Sequence, residues 1–538
     1  MTSTENKKEL RATLFCHLDG IGTAPTAYAL SEKGVLDYLL EHKKSSLADL
    51  SKNFNANEGY LNVALRILCS QGWLIQKIDN ENNTISFELS ELSTIAFKLI
   101  PLYKDVVHLL KFSERFHRRK FEIEPFNALE KIFDEYKNRY GLTPSEDENT
   151  QGVQNQILRH IEGIIVGPTV VHLGMSGMFH KYFMEASFKP EEFHQDADSF
   201  TKLLDMFCHL GWFQIKNNTY QFTEKGLFFA KRASAYGVTV SYIPTFRKLD
   251  ELIFGDPLIL RNTKKGEAEK HVDREMNVWG SGGAHTAYFK VVDEIIISLF
   301  NKPIAEQPRG ILDMGCGNGA FLQHIFEVIE HRTERGKQLE EHPLFLVGAD
   351  YNEAALKIAK ANLINADIWA KVIWGDIGRP DLLAKDLKED YNIELSELLN
   401  VRTFLDHNRI WEAAENKTQG RISLSSGAFA TRGHRISNND VEDSLLVHFK
   451  KWEPYVKKFG LLVIELHTIS PELNAKNIGR TAATAYDATH GFSDQYIVEV
   501  DVFYKVAKEA GLYPSEELSK KFPDSELATV TVNLLKGK

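Results

Sequence analysis

The chain has 538 residues, of which 43% are hydrophobic and 26% charged; this is soluble globular composition, too long for one core, and about three domains are expected. A net charge of −10 does not favour a generally basic nucleic-acid binder. The four cysteines form no CxxC pair, and no uninterrupted apolar run reaches the roughly 18 residues of a membrane span, so neither a disulfide framework nor a spanning helix is expected.

The opening MTSTENKKEL is polar and lacks the apolar stretch of a signal peptide, so a cytoplasmic location is expected. The front half then carries a divergent internal repeat. LNVALRILCSQGWLIQ (61–76) matches FTKLLDMFCHLGWFQI (200–215) at Leu65/Leu204, Cys69/Cys208 and Gly72-Trp73/Gly211-Trp212. Asn82-Asn83-Thr84 is echoed downstream by Asn217-Asn218-Thr219, and Gly34 upstream by Gly177. Each copy reads as helices, then an amphipathic helix stopped by glycine, then an extended pair turning at Asn-Asn, which is a winged-helix pattern. The expected units are a first winged-helix-like helical domain over 1–140 and a second over 156–260.

A DNA-reading helix needs Lys and Arg for phosphates and Arg, Asn or Gln for base edges. The first copy offers Asn62, Arg66 and Gln71, and the second only Lys202 and His209. That supply is thin, so a scaffold, lid or homodimerisation role is preferred and no nucleic-acid partner is expected. The basic run at 115–120 (RFHRRK) reads as a solvated face, or as a dock for an acidic partner such as an acyl carrier protein.

From about residue 270 to 538 short apolar runs alternate with helical stretches: 310–315, 344–350, 371–376, 461–466 and 528–535. This predicts an α/β Rossmann-like domain with a parallel sheet. The first run leads into DMGCGNG, with Asp313 followed by Gly315, Gly317 and Gly319. Glycines there let the chain turn sharply and let a bulky cofactor approach the backbone. Asp350 ends the second run and Asp376, followed by Ile377, ends the third. Each aspartate alone could be a turn residue or helix cap; together they resemble the S-adenosylmethionine site of class I methyltransferases. That resemblance implies that Asp350 takes the ribose hydroxyls and that Asp376 and the Ile377 amide take the adenine. WGSGGAHTAYF (279–289) reads as a cover for the methionine end or as an interdomain turn.

Ligands of open α/β sheets bind at the carboxyl edge, where RTFLDHNR (402–409) brings Asp406 and His407 after the fourth strand. Glu465 and His467 close the fifth strand, and in YDATHGFSDQY (486–496) Gly491 suggests a loop, or a helix-capping turn ahead of a helix beginning near Ile497. His467 reads as a base, a metal ligand or a hydrogen-bonded core histidine. Together RTFLDHNR and THGFSDQY resemble motifs of the metal-dependent C-methyltransferase domain of apratoxin-type polyketide synthases. The resemblance implies methylation of a malonyl-type acyl group on a carrier protein, assisted by an iron or manganese ion. The candidate ligands are then His467, His490 and Gln495, with Asp406, His407 and His467 as candidate catalytic residues. A metal-independent small-molecule O-methyltransferase, with His407 or His467 as base, is the alternative enzyme. A winged-helix ligand-sensing regulator is the non-enzyme alternative.

Overall fold

The structure, a computed structural model, describes residues 4–115, 123–261 and 269–538. Residues 116–120 of the basic run therefore lie outside the described residues. The chain forms two compact, interleaved units: Met1–His285 with Ala428–Ile436 and Ser470–Asp494, and Thr286–Gly427 with Ser437–Ile469 and Gln495–Lys538. The division falls inside the helix Arg274–Phe300, which also contains the glycines of WGSGGAHTAYF. Those glycines are helical rather than a loop, and at Gly280 a Cβ would lie 2.6 Å from the Val238 backbone nitrogen, so the missing side chain admits a close backbone crossing.

In the first unit, helix α1 (Thr4–Glu32) is followed by α2 (Glu58–Ser70), and a three-stranded sheet forms from β1 (Lys44–Ser46), β2 (Leu74–Asp79) and β3 (Thr84–Leu89). The pattern recurs as α3 (Glu148–Met175), α4 (Ala197–His209) and the hairpin β4 (Phe213–Lys216) and β5 (Thr219–Phe222). The sequence repeat has a structural cause at the helix ends. Gly72 and Gly211 adopt φ of 77° and 76°. The next amide reaches back in each case, Trp73 to the Leu68 carbonyl at 3.0 Å and Trp212 to Phe207 at 2.8 Å. This is the glycine-terminated helix stop that satisfies the last carbonyls. Both tryptophans then enter the core.

The face of α2 offered for base reading is not on the surface. Asn62, Arg66 and Gln71 are buried. Arg66 donates to Asp487 at 2.9 Å and Gln71 to Thr484 at 2.9 Å, both on the helix Ala483–Gly491 of the same unit. These side chains are spent inside the fold. Within the stretch 486–496, residues 486–491 belong to that helix, its ATAYDATH run being rich in alanine, and residues 492–494 turn out of it.

The second unit is built on a mixed sheet. Its strands are β6 (Gly310–Met314), β7 (Phe345–Asp350), β8 (Ala370–Trp374), β9 (Leu398–Thr403), β12 (Leu461–Leu466), β13 (Tyr513–Pro514), β14 (Lys520–Phe522) and β15 (Val530–Lys536). The order is β13-β15-β12-β9-β6-β7-β8, with β14 beside β15. Strands β12, β9, β6, β7 and β8 are parallel and β15 runs against them. The two remaining strands, β10 (Phe429–Thr431) and β11 (His434–Ile436), form a hairpin in the first unit. Chain order runs outward from β6 through β7 to β8, then returns to β9 on the other side. The reversal between β6 and β9 is the topological switch point where open α/β sheets receive ligands. Around the sheet lie α5 (Ala320–Arg332), α6 (Glu353–Asn365) and α7 (Asn438–Val456).

Candidate active site

The loop after β6 is shaped by its glycines. Gly315 and Gly317 hold φ of 78° and 56°, where side-chain-bearing residues are strained. A Cβ on Gly317 would meet nothing within 4 Å, so the loop faces open space there. A Cβ on Gly315 would lie 2.9 Å from Cδ2 of Leu405. The loop after β9 is thus packed directly on the glycine loop. Gly319, at φ 82°, starts α5.

Three carboxylates stand at this edge in different states. Asp313 is fully buried, and its Oδ2 has no hydrogen-bond partner. Burial, with the charge of Asp350 added, pushes its carboxyl up to about 8. Asp350 accepts the Gly317 amide at 3.0 Å and the Asn352 amide at 2.8 Å. Asp376, beyond the end of β8, accepts the Gly378 amide at 2.8 Å. Ile377 is buried, and its carbonyl accepts the Trp452 indole N–H at 2.8 Å. The residues fit S-adenosylmethionine: an orphaned buried carboxylate suits the ammonium of its amino-acid part, and the open glycine turn admits its bulk.

On the other side of the switch point lies a buried polar network. Arg402 grips Asp406 through Nε at 2.9 Å and a terminal nitrogen at 2.7 Å, and His448 of α7 bonds the same carboxylate at 2.8 Å. Burial would raise the Asp406 carboxyl, but Arg402 and the His448 bond outweigh it and bring it down to about 2. Asp406 is therefore an ionised anchor, a poor proton acceptor. Its neighbour His407 hydrogen-bonds through Nδ1 to Glu465 on β12. The second oxygen of Glu465 accepts the Asp406 amide at 2.9 Å. A carboxylate only accepts, so this pairing orients the ring with Nδ1 as donor.

The three metal-ligand candidates are not brought together within either unit. His467 and Gln495 belong to the second unit, and His490 to the first. His467 is fully buried, bonded through Nδ1 to the Val498 carbonyl at 3.1 Å and through Nε2 to Thr531 at 2.8 Å. Burial brings its ring down to about 3. Both nitrogens are engaged, so the structure places it as a core histidine, and neither a ligand nor a base can be drawn from it without breaking a bond. His490 uses Nδ1 on Thr489 and the Tyr486 carbonyl, each at 2.8 Å. Among the described residues no group of three or more His, Cys, Asp or Glu could hold a metal ion.

Two contributors escaped the sequence reading. His448 and Trp452 sit on one face of α7 with no local motif to mark them. Glu465 was visible as a carboxylate inside the apolar strand LLVIEL, but its partner lies 58 residues away.

Comparison with known proteins gives three family matches in chain order. A family described as the AprA N-terminal domain matches residues 10–76, the AprA winged helix domain 162–256, and the AprA MT2-like domain 269–533. No curated protein matches the chain. Among solved structures the chain is similar to the mitomycin 7-O-methyltransferase MmcR, at 9% identity and a TM-score of 0.38, over 72% of this chain and 99% of that one. It is similar to the CurJ carbon methyltransferase, at 11% and 0.33, over 83% and 99%. It is also similar to human N-acetylserotonin methyltransferase in complex with SAM, at 11% and 0.41, over 74% and 100%. Likenesses this distant leave the acceptor and its chemistry to be argued from the site itself. Among the described residues no helix is long and apolar enough to cross a membrane.

Proposed function

This chain is an S-adenosylmethionine-dependent methyltransferase of the AprA type, and we propose that it methylates an acyl acceptor of the malonyl or polyketide type, free or carrier-bound, with His407 taking the proton from the acceptor. The observation that carries this reading is the contact of Leu405 with Gly315. It sets the loop bearing His407 against the cofactor loop.

The cofactor, when bound, supplies an electrophilic methyl group. Asp313 would hold its ammonium, and Asp350, which orders the glycine loop, would offer its remaining lone pairs to the ribose hydroxyls. Transfer then needs a nucleophile in line with that methyl group and a base for its proton. His407 is that base, and Glu465 stabilises the imidazolium that forms, as a carboxylate does when paired with a histidine. Arg402 and Asp406 keep the loop rigid beneath it. No step is routed through a metal.

The same histidine pair serves an enolic or phenolic hydroxyl equally well, so O-methylation is the second reading. Incubation with labelled S-adenosylmethionine and malonyl-pantetheine, followed by fragmentation mass spectrometry, tests the proposal. A label on the α-carbon supports it; no transfer to any acyl thioester, with transfer to hydroxyl acceptors instead, replaces it with the second reading.

A further inference from the structure

The two copies in the first unit share more than the sequence repeat indicates, and they meet through equivalent residues. His17, Gly20 and Pro25-Thr26 of α1 recur at the same spacing in α3 as His160, Gly163 and Pro168-Thr169. Both threonines bond back four residues, Thr26 to the Gly22 carbonyl at 2.7 Å and Thr169 to Ile165 at 2.8 Å. A Cβ on Gly20 would lie 2.3 Å from Cα of His160, and one on Gly163 would lie 2.6 Å from Cα of His17. Each glycine thus receives the backbone of the other copy's histidine.

The side chains are exchanged in the same sense. His17 bonds the hydroxyl of Tyr236 at 2.8 Å, and His160 bonds that of Tyr103 at 2.7 Å. Tyr103 follows the wing of the first copy and Tyr236 that of the second. The histidine of each copy is therefore tied to the tyrosine of the other. Contacts in which residue i meets j while j meets i define a two-fold, isologous interface.

The copies differ where the difference matters. Glu162 stands where the first copy has Asp19. It lies 3.3 Å from His17 Nε2 and accepts from Arg159 and Tyr136, each at 2.6 Å. Arg159 corresponds to Cys16 in α1. An α1–α1 pair would bury two short acids with no guanidinium, and an α3–α3 pair would stack two arginines at one crossing. Such unmatched groups penalise the wrong pairing.

We infer that the first unit is an internal dimer: the partner for the α1 face is the α3 face of the same chain, and the set His17, Glu162 and Arg159 selects it over a second copy of the protein. The dimerisation role that the sequence left open beside a scaffold or lid is, at this face, met within one chain.

Sedimentation of the full-length protein, from micromolar to the highest soluble concentration, tests this together with two conservative variants. The expected result is one species with the mass of a single chain. Tyr103→Phe and Tyr236→Phe, each removing one of the two equivalent hydroxyls, should lower the thermal midpoint alike, by about 2–4 °C. A two-chain species that dissociates on Glu162→Ala would put the α1–α3 contact between chains and overturn the inference. A loss of stability in only one tyrosine variant would also overturn it, since the copies would not be equivalent.

Discussion

The backbone amide of Gly317 donates to Oδ2 of Asp350 at 3.0 Å. One carboxylate therefore shapes the glycine loop and stands where the ribose of the cofactor is expected. Replacing Asp350 by alanine removes both roles at once. S-adenosylhomocysteine should bind about 10–100-fold more weakly, about 1.4–2.8 kcal/mol. Calorimetric titration reads this directly, and unchanged affinity would contradict the assignment of Asp350.

Asp313 gives the site a pH dependence. In the ligand-free fold its carboxyl is pushed up to about 8 by burial and by Asp350, against about 4 in an unfolded chain. Between those values the unfolded state ionises and the folded state does not, so this residue's contribution to stability declines as pH rises from about 4 to 8. A bound ammonium favours the ionised form and reverses that decline. The rise in thermal midpoint caused by S-adenosylhomocysteine should grow from pH 6 toward pH 8, and Asp313→Asn should flatten the trend. A pH-independent rise in the unsubstituted protein would count against this role.

Arg66 and Asp487 form a pair whose side chains are only 1% and 6% exposed, inside the first unit. Removing one partner leaves the other charge buried without this ion pair. Arg66→Ala should destabilise by about 3–5 kcal/mol, whereas Arg66→Met with Asp487→Leu should recover most of the loss. Thermal denaturation of the three proteins distinguishes the cases. A mild effect of Arg66→Ala would mean that water reaches the pair.

Metal removal separates the two chemistries that the sequence left open. His467 has both nitrogens occupied by Val498 and Thr531. If His407 is the base and no ion takes part, as proposed, methyl transfer survives dialysis against a strong chelator with less than about a twofold change, well inside the factor of ten that 1.4 kcal/mol represents. Activity that disappears and returns with iron or manganese would show that donors are rearranged to hold an ion.

Much of the fold was legible in the sequence because its signals are local. The runs at 461–466 and 344–350 alternate with helical stretches, and they became β12 (Leu461–Leu466) and β7 (Phe345–Asp350). Gly72 and Gly211 announced helix stops that need a positive φ, and both adopt one. The candidate site was legible only in part. A carboxylate at a strand end can be read from position, but the pairing of His407 with Glu465 joins residues 58 apart, and His448 reaches Asp406 from a helix 42 residues away. The loop expected at 486–496 begins only after Gly491, because residues 486–491 are helical. Tertiary packing on α2 made use of an alanine-rich helix that the glycine and polar residues had disguised. Likewise the histidine of α1 matched that of α3, but only the crossing showed why.

The central claim is that His407, held by Glu465 beside the cofactor loop, is the base for methyl transfer. The most direct measurement is single-turnover transfer from labelled S-adenosylmethionine in His407→Ala, with cofactor binding measured on the same sample. The account predicts unchanged S-adenosylhomocysteine affinity and a rate about 10²–10⁴-fold lower. An undiminished rate with intact binding would contradict it.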